Sequence, residues 1–182
     1  MRRLLFALIA VVLVVAGCAP TQESGTGTPL SGDLAEFDTR TLIDHLDRLP
    51  GPQRPTDLVA SVRPAELVVS DGVTEDRQEI PDDEFYLAFA PYVERTHDCF
   101  YHSLTTCQGE LPNTAMHIRI TDTHGEVLVD EARTTFDNGF IGVWLPRDIT
   151  ATLEVEHEGR SATTTIGTGA QDPTCLTTLQ LR

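Results

Sequence analysis

The residues best suited to chemistry are four cysteines, Cys18, Cys99, Cys107 and Cys175, in a chain of 182 residues. Cys18 stands apart from the rest. It follows Arg2, Arg3 and an uncharged apolar run from Leu4 to Ala16, and the order Val15-Ala16-Gly17-Cys18 reads as a lipobox. The run is short for a permanent membrane helix and lacks a basic stop-transfer flank. A signal peptide over residues 1–17 is therefore predicted, with Cys18 lipidated and anchoring the mature chain.

Three cysteines then remain, and an odd number cannot be fully paired within one chain. In an exported protein a leftover thiol tends to oxidise unless a metal or a reductant protects it. Seven residues separate Cys99 from Cys107, so their sulfurs can meet across a hairpin, and the fold could bring in Cys175 from the last predicted strand. Three thiolates suit Cu(I), a soft ion that accepts low coordination numbers. Zinc would call for a fourth ligand, which His102 or His97 could supply, so spacing alone leaves both metals open. His102 lies three residues after Cys99 and five before Cys107, the better place for an auxiliary or supporting donor, and His97 is the weaker candidate. Met116 is the only methionine downstream of the signal segment, so soft donors must be thiolates. The plainer reading of Cys99 and Cys107 is a structural disulfide contributing about 2–3 kcal/mol. His45, His117, His124 and His157 read as surface or solvated residues.

The elements that must position these residues are short. Residues 18–32 are rich in Thr, Gly, Ser and Pro and read as a flexible tether. Leu42, Ile43, Leu46 and Leu49 form the stripe of an amphipathic helix over Thr39 to Leu49, stopped by Pro50-Gly51-Pro52. Leu58 to Val62 is predicted as a helical turn, Glu66 to Ser70 and Glu84 to Ala90 as strands, and Asp71 to Asp83 as an acidic loop. From Thr114 onward apolar alternation predicts antiparallel strands at 116–120, 127–129, 140–145, 151–157, 161–166 and 175–181, with a turn at Phe136-Asp137-Asn138-Gly139-Phe140. The fold class is α+β and mostly β. A mixed unit at 33–95 precedes a metal-binding loop at 96–111 and a C-terminal antiparallel sandwich at 112–182 resembling the transthyretin-like architecture, an analogy without chemical content.

The formal net charge of −15 argues against a nucleic-acid partner and leaves membrane attachment to the lipid. No phosphate-binding loop, Ser-His-Asp order or HExxH motif supports a hydrolase or nucleotide enzyme.

The stretch Thr-His-Asp-Cys-Phe-Tyr-His-Ser-Leu-Thr-Thr-Cys-Gln-Gly-Glu-Leu at 96–111 closely resembles the signature of the CueP family of periplasmic copper-binding proteins. So do Thr134 to Phe140 through Trp144-Leu145-Pro146, Pro173 to Leu181, and the Ile43-Asp44-His45-Leu46-Asp47 helix. The resemblance implies that Cys99, Cys107 and Cys175 are copper ligands, that the protein serves copper resistance, and that a copper, zinc superoxide dismutase is the acceptor. It also implies a link to Cu(II) reduction and a homodimer; thiols oxidised in such a reduction would need a thiol–disulfide reductant to reset them. A lipobox departs from the familiar soluble members and puts delivery to that dismutase in doubt. Three functions follow: a Cu(I) buffer or metallochaperone, which is not an enzyme; a thiol-based Cu(II) reductase; and an interaction module with a structural disulfide.

Overall fold

A computed structural model describes residues 30–182, so the signal segment, Cys18 and most of the tether lie outside the described residues. One α-helix, α1 (Thr39–Arg48), is present among them. Asp38 caps it by accepting a hydrogen bond from the Thr41 N–H at 2.7 Å, and Leu49 and Pro50 leave the helical region and end it. Its buried face holds Leu42, Ile43 and Leu46, and with them one acid, Asp47.

Three sheets follow. β1 (Val59–Val62), β2 (Glu66–Ser70), β3 (Glu75–Glu79) and β5 (His102–Ser103) form the first, in the order β3-β2-β1-β5. β6 (Ala115–Asp122), β7 (Val127–Thr134), β9 (Thr150–His157) and β10 (Arg160–Gly167) form the second, in the order β10-β9-β6-β7. The third is β11-β4-β8, from β4 (Glu84–Phe89), β8 (Ile141–Pro146) and β11 (Cys175–Leu176). Most pairings are antiparallel, but β11 runs parallel to β4.

The third sheet is buried on both faces, and β4 shows why. Phe85, Leu87 and Phe89 point to a core shared with Ile118, Leu153 and Val155 of the second sheet. Tyr86, Ala88 and Ala90 point the other way, to a core shared with Leu42 and Leu46 of α1 and Val62 and Leu67 of the first sheet. Each such Leu, Val or Phe contributes roughly 1.5–3 kcal/mol on burial. The β4 strand, from the segment before the cysteine loop, thus shares a sheet with β8 and β11 from the segment after it.

Three local expectations need correction. Leu58 to Val62 is not a helical turn: Ala60 and Val62 are buried while Val59 is exposed and Ser61 half-buried, and 59–62 pairs in register with β2. The acidic 71–83 segment contains β3, an edge strand of charged residues whose lack of apolar alternation hides it from sequence patterning. The last strand is only Cys175–Leu176, after which a parallel bridge between Tyr92 and Gln180 continues the contact.

Two glycines decide how the cysteine loop docks. Gly139 adopts φ +78° in the turn after Asn138, and a Cβ there would lie 2.8 Å from the Gly109 backbone; a Cβ on Gly109 would lie 2.7 Å from the Gly139 carbonyl oxygen. The Gly109 N–H donates to the Asn138 carbonyl at 2.6 Å across this contact. Gly139→Ala adds positive-φ strain to a backbone clash and is expected to cost at least about 1–3 kcal/mol, read as a lowered urea midpoint with unchanged slope.

Candidate metal centre

His102 occupies the edge strand β5, opposite Val62 of β1. Its N–H donates to Thr174 Oγ1 at 3.1 Å, and that hydroxyl donates to the Val62 carbonyl at 2.6 Å. The N–H groups of Thr174 and Cys175 both point at the Phe100 carbonyl, at 3.0 and 3.1 Å. These bonds strap the start of β11 onto the 99–102 loop. Cys175 is thereby placed against Cys99, with the Cα atoms 5.7 Å apart, and the two form a disulfide.

Cys107 is the free thiol among the described cysteines and is half-buried. Its N–H donates to the Ser103 carbonyl at 3.1 Å, closing a turn, and Ser103 N–H donates back to Sγ at 3.4 Å. Arg54, itself buried, donates from Nη1 to the Cys107 carbonyl at 3.0 Å. Cys107 Sγ ends 3.5 Å from Cys99 Sγ. All three sulfurs therefore converge, but the disulfide joins Cys99 to Cys175 across 76 residues and not to Cys107. The local alternative was the wrong pairing because the strap through Phe100 and Thr174 is a tertiary feature.

Behind the sulfurs lies a buried polar network. His102 Nδ1 is 3.8 Å from Cys175 Sγ, and Nε2 is 2.9 Å from Asp47 Oδ1. Asp47 also accepts from Tyr86 Oη at 2.5 Å and Asn138 Nδ2 at 2.8 Å. Glycine at 142 on β8 makes room for this, since a side chain there would fall on the Tyr86 hydroxyl. Burial would lift the Asp47 pKa, but His102, Tyr86 and Asn138 together hold it below the usual carboxylate range. Burial likewise favours neutral His102, yet the Asp47 carboxylate, with Cys107, pushes its pKa up to about 9. Burial would raise the Cys107 thiol too, and His102 with the Ser103 N–H brings it below the ordinary value.

His102 has a folded pKa near 9 against 6.5 unfolded, so its contribution to stability is complete below about pH 6.5 and is lost as pH rises through 9. Asp47 has the opposite sign: its contribution is present above the ordinary carboxylate range and is lost in acid. Cys107, with a depressed pKa, adds stability as pH rises and partly masks the His102 loss in a global unfolding curve. Imidazole NMR of the metal-free protein separates them. One ring is expected to titrate near pH 9, and a His102 titration at its ordinary value would refute the pairing.

Two donor groups emerge, each with its ligand atoms within 4.8 Å of one another: His97, Cys99 and Cys107, and His102, Cys107 and Cys175. Two sulfurs and a nitrogen in each is a soft donor set suited to Cu(I) and compatible with zinc. His45 and His124 are exposed, and His117 pairs with Asp130 across β6 and β7 of the second sheet. Asp47, Tyr86, Asn138 and Arg54 went unrecognised in sequence analysis. Asp47 carried one signal, an acid on the helix stripe that is otherwise apolar.

Residues 41–180 match the family described as periplasmic copper-binding protein CueP. The chain belongs to the CueP family. It is also similar to a solved structure described as the crystal structure of S.CueP, with 43% identity, a TM-score of 0.77, and coverage of 81% of this chain and 91% of that one. No curated protein matches. The CueP family is periplasmic and copper-binding by description, and the cysteine and histidine cluster of this member is a donor set that fits such an ion. Among the described residues no helix is long and apolar enough to cross a membrane.

Proposed function

We propose that this CueP-family protein binds Cu(I) through the thiolates of Cys99, Cys107 and Cys175, with His102 as an auxiliary donor, and buffers or relays copper outside the cytoplasm. The observation that carries this reading is the convergence of the three sulfurs, Cys99 Sγ bonded to Cys175 Sγ and 3.5 Å from Cys107 Sγ, with His102 Nδ1 3.8 Å from Cys175 Sγ, in a chain of a copper-binding family. Reduction of the Cys99–Cys175 disulfide frees the two sulfurs that complete the set. A lipid on Cys18 would hold the domain at the cell envelope, and mass spectrometry of the mature N-terminus is expected to find diacylglycerol on that cysteine; an unmodified start after it would remove the anchor from the reading. The 112–182 segment is read as transthyretin-like in architecture.

A second reading is favoured by Cys107 standing 3.5 Å from a disulfide sulfur. Two Cu(II) ions would each take one electron from the Cys99 and Cys175 thiols, releasing two protons and leaving two Cu(I) and the disulfide. A dithiol reductant would then reset it, and Cys107 as a thiolate could attack Cys99 and pass the mixed pairing on.

Titrating the fully reduced protein with Cu(I) against a chromogenic Cu(I) chelator, and separately with Cu(II) while counting thiols, decides between them. Tight Cu(I) binding with all three thiols retained is the result expected for a buffer. Loss of one thiol per Cu(II) added supports the reductase. No binding and no thiol loss would overturn both.

A further inference from the structure

The donor cluster has an outside and an inside. A cavity of about 520 Å³ opens onto it, lined by His97, Cys99 and Cys107 but not by His102 or Cys175. His102 is fully buried and Cys175 is 2% exposed, so both lie behind the sulfurs that solvent can reach. His97 is half-buried, and its Nε2 is covered by the protein without a hydrogen-bond partner, a cost to the metal-free state. The His97 and Phe140 rings meet edge to face with centroids 6.1 Å apart, and the His102 ring is tilted against the same phenyl group with centroids 4.6 Å apart. Phe140 is therefore a shared wall with one imidazole toward the cavity and the other toward the interior.

From this arrangement we infer that His97, Cys99 and Cys107 form an entry and exit position for the metal, distinct from the three-thiolate resting position. The inference rests on the proposed Cu(I) role of the three cysteines. Cys99 and Cys107 belong to both positions, so the ion moves inward by exchanging one ligand, His97 for Cys175. No bare or two-coordinate ion has to cross the gap. An acceptor or a chelator reaches the ion only from the cavity, where His97 holds it while Cys175 lets go.

A ligand used only on the path lowers the barrier for both directions and leaves the equilibrium alone, whereas a resting-site donor changes the equilibrium. His97→Leu is thus expected to slow Cu(I) uptake from a weak chelator and Cu(I) release to a strong one by the same factor, at least about tenfold, with affinity within about threefold of the parent. His102→Ala is expected to change affinity instead. His97→Met, which restores a soft donor, should recover most of the rate. A purely packing role against Phe140 would not distinguish Met from Leu.

The experiment is stopped-flow transfer between the reduced, folded full-length protein and two chromogenic Cu(I) chelators, with equilibrium competition run on the same samples. Equal slowing in both directions at constant affinity, rescued by Met, is the expected result. Unchanged rates in His97→Leu would overturn the entry position, and so would an affinity loss as large as that of His102→Ala. Failure of the parent to take Cu(I) from either chelator would instead overturn the underlying copper reading.

Discussion

Cys107→Ser is expected to lower Cu(I) affinity by more than about a hundredfold, beyond the tenfold to hundredfold cost typical of a supporting residue. Cys107 is the one residue common to both donor groups, so no rearrangement around it leaves a complete sulfur set. Serine is nearly isosteric but a poor ligand for a soft ion. Cys99→Ser and Cys175→Ser should approach the same loss, while His102→Ala falls within the smaller range. Competition with a Cu(I) chelator under reducing conditions measures all four. If Cys175→Ser binds as tightly as the parent, β11 is not part of the site, and a cysteine and histidine site within 97–107 takes its place.

The second large effect concerns stability. Asp47→Ala removes the carboxylate that faces His102, Tyr86 and Asn138 in the interior, and is expected to cost about 3–5 kcal/mol in the metal-free protein, as for other broken buried pairs. His102→Ala should cost less, because Tyr86 and Asn138 still donate to the carboxylate that remains. The double variant is expected to lose less than the sum of the two, since without His102 the loss of Asp47 leaves no buried cation behind. Urea unfolding of the three variants with the disulfide intact gives these numbers. Additive losses would show that Asp47 and His102 are not energetically coupled.

Much of this was legible in the sequence where the pattern was local. The stripe of Leu42, Ile43 and Leu46 and the alternation of Met116, Ile118 and Ile120 report one-sided burial directly, and α1 and β6 form as expected. The odd cysteine number and the motif around Cys99 and Cys107 point to the loop in which those two sulfurs lie 3.5 Å apart. What escaped depended on contacts between distant segments. Whether Cys99 pairs with Cys107 or Cys175 is settled by backbone bonds from Thr174 and Cys175 to Phe100, which no spacing rule encodes. Asp47 stands out only as an acid on the apolar stripe of α1, and its partners Asn138 and His102 lie 91 and 55 residues away. β3 was missed because an edge strand of Glu, Asp, Arg and Gln has no apolar face to reveal it.

Three cysteine sulfurs from two distant segments share one Cu(I) ion in the proposed site, and copper K-edge X-ray absorption of the reduced, Cu(I)-loaded protein counts them. A first shell dominated by sulfur with a three-coordinate edge is expected, reduced by one sulfur in Cys175→Ser. A linear two-coordinate edge unchanged by that substitution, or a shell of nitrogen and oxygen, would contradict it.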